Sequence, residues 1–189
     1  KIEAYDLAGN WNSDETTVTV DITAPRASID IPPDASCLKG MVVINITSDD
    51  VDVNLMELHI SNELIETWNT SGTKAYVWNT TSHADGSYTI KLVVHDRVGN
   101  YASTSVSVIV DNTEPIIEIR NPIDGTYLKD ICNITVYGYD INMDRMELRI
   151  DESILETLTV CGAQILTWNT TALPDGLYTL SLTAHDEAG

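Results

Sequence analysis

An internal repeat of 90 residues, free of gaps, constrains this chain more than any other feature of its sequence. The segment His-Asp-Arg-Val-Gly-Asn at 95–100 corresponds to Tyr-Asp-Leu-Ala-Gly-Asn at 5–10 and to His-Asp-Glu-Ala-Gly at 185–189. A fixed period of this length is typical of structural units placed one after another. The repeat therefore predicts three parts: the final hairpin of one unit (1–21), a complete unit (22–111), and a unit without its last strand (112–189).

Apolar and polar residues alternate with a period of two within each unit, which predicts strands with one buried face. The clearest run places four apolar side chains on one face, at Tyr88, Ile90, Leu92 and Val94, and the run recurs at Tyr178, Leu180, Leu182 and Ala184. Turn residues such as the Asp-Gly pairs at 85–86 and 175–176 separate these runs. Because no segment has helical spacing, the pattern predicts an all-β chain of tandem Greek-key β-sandwiches joined end to end.

Several short motifs keep the same order in both units. They are Thr23 to Pro25, the Trp-Asn-Thr-Thr segment at 78–81, the Asp-Gly turn at 85–86 and the closing segment at 95–100. Together they resemble bacterial and archaeal immunoglobulin-like (Big-type) tandem repeats, over essentially the whole chain. The resemblance implies immunoglobulin-like sandwiches in an extracellular, secreted or cell-surface protein. The paired cysteines of antibody domains are missing, so an antibody-like domain is not implied.

The charge balance excludes some partners. With 29 acidic and 10 basic residues, the net charge is -19, which repels phosphate backbones and anionic lipid headgroups. The longest apolar stretches are far shorter than the ~20 residues of a membrane helix, so direct membrane insertion is not expected. The expected partners are the neighbouring repeats of the same chain, and any glycan or protein ligand would bind through domains outside this fragment.

The three cysteines, Cys37, Cys132 and Cys161, are too few for a disulfide framework and lack the paired spacing of a zinc site. Chemistry allows a bridge between Cys132 and Cys161, but these residues fall on different parts of one repeat. Free thiols are therefore expected. The cysteine count leaves the redox compartment undecided.

Acidic loops are expected to meet at one end of each sandwich. In a Greek-key unit, the entering linker, the loop after the second strand and the last hairpin share the N-terminal end. In the second repeat these carry five candidate calcium ligands, Asp111, Asp140, Asn142, Asp144 and Asp186. The first repeat offers Asp21, Asp49, Asp50, Asp52 and Asp96. Calcium takes six to eight oxygen ligands of this kind. The alternative is that these loops are only solvated, since no EF-hand spacing is present.

Asn-x-Ser/Thr segments offer candidate glycosylation sites. They lie at Asn45, Asn69, Asn79, Asn133 and Asn169. They would accept glycans in a secreted archaeal or eukaryotic protein. The sequence does not identify the host, and a chain so rich in Thr and Ser contains some of these segments by chance.

No set of residues points to catalysis. The four histidines are scattered and have no accompanying nucleophile, and 29 acids make any one carboxylate pair uninformative. Trp78 and Trp168 are expected in the cores. Trp11 and Trp68 have no matching Trp in the neighbouring repeat, which makes them candidates for an exposed aromatic platform.

The sequence therefore favours a non-catalytic spacer or stalk of an adhesin-like surface protein, in which calcium would stiffen the junctions. The alternative is a carbohydrate-binding accessory module of a secreted hydrolase, which would need a row of exposed aromatic side chains. An enzyme is the least favoured hypothesis.

Overall fold

The computed structural model describes residues 1–188, so that Gly189, the last residue of the third motif copy and of the predicted third unit, lies outside it. It contains sixteen β-strands and one short 3-10 turn, Thr80–Ser82. No helix in the described part is long and apolar enough to cross a membrane. The all-β class and the near absence of helix are confirmed.

The first two strands, β1 (Ile2–Tyr5) and β2 (Trp11–Asp14), form an exposed antiparallel hairpin with its own two-stranded sheet. The sequence predicted a hairpin over 1–21, but the second strand is shorter than that range allows. It ends at Asp14, which pairs with Ile2, the first residue of β1. Val18 and Val20, which follow, are exposed.

The next group of strands forms a two-layer sandwich. Its strands are β3 (Ser28–Ile31), β4 (Cys37–Leu38), β5 (Met41–Ser48), β6 (Val53–Ile60), β7 (Glu63–Trp68), β8 (Gly72–Asn79), β9 (Gly86–Asp96) and β10 (Tyr101–Val110). One sheet has the order β4-β10-β9-β6-β7 and the other β3-β5-β8. Between them lies a cluster of buried residues that includes Ile44, Met56, Leu58, Leu92 and Val108.

The last group repeats this arrangement with fewer strands. It contains β11 (Ile116–Asn121), β12 (Ile131–Tyr139), β13 (Met143–Ile150), β14 (Ser153–Leu158), β15 (Gly162–Asn169) and β16 (Leu180–Asp186). Its sheets have the orders β11-β12-β15 and β14-β13-β16. Ile134, Val136, Leu148 and Trp168 are its fully buried cluster.

Strand length follows the available hydrogen-bonding partners. β9 begins at Gly86 because β10 pairs with it from there, while β6 pairs with β9 only from Ile90 onward. β16 pairs with β13 alone, and it begins at Leu180, the residue equivalent to Ile90. The predicted alternation over 178–184 is therefore a strand only from Leu180, and Tyr178 lies before it, packed against the core.

Candidate functional site

The linker between the two sandwiches is attached to the first one. The Asp111 N–H donates a hydrogen bond of 3.0 Å to the carbonyl oxygen of Leu38 in β4. The Asn112 side chain accepts from the Gly40 N–H and the Thr80 hydroxyl, and its backbone N–H donates to Asp85 at 2.9 Å. The Thr113 hydroxyl and the Asn112 amides hold the pKa of Asp85 below its ordinary value. Asp111 is consequently fixed to the first sandwich.

Three carboxylates meet at the start of the second sandwich. Oxygens of Asp111, Asp140 and Asp186 all lie within 4.8 Å of one another. Asp111 is 2% exposed and Asp140 is 8% exposed, and Asp186 at the end of β16 is partly buried. Among the described residues, no Lys, Arg or His forms an ion pair with Asp111 or Asp140. Such closely placed negative charges repel one another unless a cation lies between them.

Buried polar atoms at this cluster lack hydrogen-bond partners. Oδ1 of Asp111 accepts from the Thr113 N–H at 3.0 Å, but its Oδ2 is shielded from solvent and accepts no hydrogen bond. The Asn142 backbone N–H donates to Asp140 at 3.3 Å, while both atoms of its side-chain amide are shielded and unpaired. A buried polar group without a partner costs roughly 1–3 kcal/mol. The two oxygens among these atoms, Asp111 Oδ2 and Asn142 Oδ1, therefore have unpaired acceptor sites that are shielded from water, as metal ligands do.

Asp144, the fifth candidate from the sequence, lies outside this cluster. It is exposed and forms an ion pair with Arg145, whose guanidinium also contacts Glu147. It falls where the pairing of β13 with β16 shifts its register, between Met143 and Arg145. The structure thus brings together three of the predicted carboxylates, places Asn142 beside Asp140, and leaves Asp144 at the surface.

A similar cluster lies at the entrance of the first sandwich, although its members are not all equivalent: it contains Asp52, the equivalent of Asn142, and not Asp50, the equivalent of Asp140. Oxygens of Asp21, Asp52 and Asp96 are within 4.8 Å of one another, and the Asp52 N–H donates to Asp50 at 3.2 Å. The neighbouring Asp50 carboxylate, burial and the Asp21 carboxylate together raise the pKa of Asp52 to about 6. Asp49 lies apart from this group and faces Arg26 at 4.0 Å.

The last hairpin of the first sandwich holds its aspartate rigidly. Oδ1 of Asp96 accepts hydrogen bonds from the N–H groups of Val98, Gly99 and Asn100, and its Oδ2 accepts from the Asn100 side chain at 2.7 Å. Burial acts to raise the pKa of Asp96, but these hydrogen bonds outweigh it and hold that pKa below its ordinary value. Gly99 adopts a φ of 100°, a conformation that favours glycine. Asp96 therefore closes the turn of the last hairpin and also belongs to the three-carboxylate cluster.

Cys37 is a neighbour of the second cluster that the sequence argument did not anticipate. Its thiol, in the first sandwich, donates at 3.4 Å to the Glu187 carboxylate of the second. Burial raises the pKa of this thiol, and the nearby Asn142 amide opposes the rise without reaching hydrogen-bonding geometry. All three cysteines are free thiols, as expected. Cys37 reaches the junction because β4 pairs with β10. The spacing of residues in the sequence does not indicate this position.

The aromatic residues are divided differently from the sequence prediction. Trp78 and Trp168 are buried, each in an edge-on contact with a tyrosine. Trp11 is exposed and stacks with Tyr5 on the first hairpin. The prediction for Trp68 was wrong: it pairs with Met56 across strands, and cross-strand partners share a face, so it packs against the first core.

The candidate glycosylation sites differ in accessibility. Asn69 is exposed in the bend between β7 and β8, while Asn45 is half-buried in β5 between two neighbouring strands. Asn133 is exposed within β12. Asn79 and Asn169 end their strands, and each side chain accepts from the N–H and hydroxyl of the threonine two residues later.

Comparison with known proteins supports the fold. Residues 72–164 match the family described as bacterial Ig-like domain (group 3), a segment that spans the junction. The resemblance to bacterial immunoglobulin-like repeats is confirmed. No curated protein matches the chain.

Among solved structures, fibronectin(III)-like modules of Clostridium thermocellum CbhA are similar with a TM-score of 0.53 at 18% identity, over 86% of this chain and 87% of theirs. A tetra-tandem repeat in the extending region of a large adhesion protein is 23% identical over 99% of this chain and 52% of its own, with a TM-score of 0.42. At these identities, the first likeness shows the fold alone.

Proposed function

We propose that this chain is a non-catalytic spacer of an extracellular surface protein, and that calcium bound at its repeat junctions stiffens it. Its bacterial Ig-like repeats support the spacer role, because such domains are generally non-catalytic modules and are typically extracellular. The observation that carries the calcium part is the division of one ligand set between two sandwiches.

Calcium suits this ligand set better than other ions do. Asp111, Asp140, Asp186 and Asn142 supply oxygen, which Ca²⁺ prefers, and nitrogen or sulfur ligands typical of zinc are not part of the three-carboxylate group. Calcium also tolerates irregular geometry with backbone and water oxygens completing its shell. The cluster would thus hold one ion through three carboxylates and the Asn142 oxygen.

Binding at this position would couple the two sandwiches mechanically. The backbone of Asp111 is hydrogen-bonded to Leu38 in β4 of the first sandwich. In the second sandwich, Asp140 precedes β13, and Asp186 is the last residue of β16. An ion that contacts both sides is bound fully only in one relative orientation. By linkage, the ion then favours that orientation over others. A stalk made of such units would be flexible without calcium and stiff with it.

The proposal is tested by thermal unfolding with excess calcium and with a chelator. A ligand at 100 times its dissociation constant stabilises the native state by about 2.7 kcal/mol, which in a domain of this size raises Tm by about 10 °C or more. Small-angle scattering should show a narrower range of dimensions with calcium. Asp111→Asn should abolish most of the effect at the junction, while Asp144→Asn, at the exposed ion pair, should retain it. Identical melts in calcium and chelator would refute the proposed role of the ion.

A further inference from the structure

The two clusters draw on the same four positions of the repeat, but the three carboxylates that meet are not equivalent: Asp21, Asp52 and Asp96 in the first, and Asp111, Asp140 and Asp186 in the second. Asp21, Asp50 and Asp96 correspond at an offset of 90 to Asp111, Asp140 and Asp186. The fourth position is Asp52 in the first cluster and Asn142 in the second. In the first cluster three carboxylates meet and the Asp50 carboxylate contacts one of them, Asp52, whereas the second cluster has three carboxylates and the neutral amide of Asn142.

We infer that the residue at this fourth position sets two different calcium affinities, so that the site at the entrance of the first repeat fills at lower calcium than the site between the repeats. This inference rests on the proposed function, because it concerns the same sites. It goes beyond the proposed function by assigning the difference in calcium affinity to one pair of residues, Asp52 and Asn142. It also predicts that the two junctions stiffen at different calcium concentrations.

At the second site, the side chain at the fourth position is shielded from solvent and has no hydrogen-bond partner in the protein. Both atoms of the Asn142 amide are shielded and unpaired, and so is Oδ2 of Asp111, a residue 2% exposed. The Asn142 backbone is held to Asp140 by a hydrogen bond, as the Asp52 backbone is held to Asp50. The backbone at the fourth position is therefore held in the same way at both sites, and the charge of its side chain differs next to the carboxylate group.

The number of carboxylates favours a higher calcium affinity at the first site. Calcium affinity in proteins rises with the number of charged ligands and with the rigidity of the site. The second site is more buried than the first, which strengthens each ionic interaction that both sites share. The absence of a carboxylate at Asn142 has a larger effect on affinity than the greater burial of the second site. It removes a whole negative charge, whereas burial only changes the strength of the ionic interactions that both sites make.

The Asn142 amide also fits its surroundings in a way that a carboxylate would not. It lies beside the Cys37 thiol, which also contacts the Glu187 carboxylate. A further negative charge here would add to the repulsion when no ion is bound. Neutral Asn142 therefore lowers the electrostatic cost of the ion-free junction as well as the affinity for the ion.

Calorimetric titration of the full chain with Ca²⁺, after removal of bound metal by chelator, tests the inference. We expect two classes of sites in the unaltered chain, differing about 10-fold or more in affinity. Asn142→Asp should tighten the weaker class by about 10-fold, and Asp52→Asn should weaken the tighter class by a similar factor. Asp144→Asn, outside both clusters, should leave both classes unchanged.

The possible outcomes are distinguishable. Two sites of equal affinity, or an Asn142→Asp variant with unchanged binding, would overturn the inference while leaving calcium binding itself in place. Absence of calcium uptake in the unaltered chain would refute the proposed function and the inference together. If Asn142→Asp fails to fold without the ion, as circular dichroism would show, Asp52→Asn still decides the question, because it removes a charge instead of adding one.

Discussion

Two leucines at equivalent positions are expected to differ in their contribution to stability. Leu58 in β6 and Leu148 in β13 are both 0% exposed. Leu58 belongs to a cluster of thirteen buried residues enclosed by eight strands in two sheets. The buried cluster around Leu148 has four members, and partly buried residues such as Leu180 and Leu182 pack against it. The same substitution therefore leaves a cavity in surroundings of different rigidity.

We expect Leu58→Ala to reduce the free energy of unfolding of the first sandwich by about 4 kcal/mol, in the upper half of the range of about 2–5 kcal/mol for buried leucines. Leu148→Ala should cost the second sandwich about 2–3 kcal/mol, because neighbouring side chains with free space can move into the cavity. The cost grows with the cavity that remains after relaxation, so the difference should be at least about 1 kcal/mol.

Native-state hydrogen exchange measures both values in the full chain, because amides of β6 and β9 report on the first sandwich and those of β13 and β16 on the second. Leu64→Ala and Ile154→Ala are matched controls at equivalent positions, since both side chains are 51% exposed. Each control should change stability by less than about 1 kcal/mol. A loss for Leu148→Ala equal to or larger than that for Leu58→Ala would refute the reasoning about rigidity.

Two further predictions follow from single polar groups. Ser48 is fully buried and its hydroxyl has no hydrogen-bond partner; Ser48→Ala should stabilise the first sandwich by about 1 kcal/mol in urea unfolding, and a loss of stability would contradict this. In chelator, the stability of the first sandwich should fall as pH rises from 3.8 toward about 6, because folded Asp52 retains a proton that the unfolded chain has released. Asp52→Asn should remove this fall in pH-dependent melts, and an unchanged pH profile would exclude Asp52 as its source.

Much of the fold could be predicted because local and global signals agree. The alternation of Tyr88, Ile90, Leu92 and Val94 matches the buried face of β9, and the repeat transfers that assignment to the second sandwich. The convergence of loops at one end follows from Greek-key topology, which is why Asp111, Asp140 and Asp186 were found as a group. Both kinds of inference depend on chain order and period alone, which the sequence contains completely.

The sequence predictions were wrong for residues whose position depends on a tertiary contact. Trp68 was assigned to the surface because the next repeat has no Trp there. The equivalent residue is Leu158, which packs against the second core, so the apolar character of the position is conserved between repeats although the residue is not. Asp144 was assigned to the ion site because it lies in the loop after the second strand of the repeat, but a register shift in β13 and the neighbouring Arg145 direct it to solvent. Such shifts depend on the partner strand and leave no pattern in one sequence.

The buried carboxylates at the junction also bear on why the linker is anchored as it is. Asp111 would relieve its repulsion from Asp140 by moving toward solvent, and a flexible linker would permit this. The hydrogen bonds of Asp111 to Leu38 and of Asn112 to Gly40, Thr80 and Asp85 prevent it. The first sandwich therefore uses part of its hydrogen bonding to hold a negative charge where it is unfavourable in the absence of a cation. Because this holds the site in place before the ion arrives, binding requires little reorganisation, and the ion's free energy goes mainly into fixing the orientation of the second sandwich.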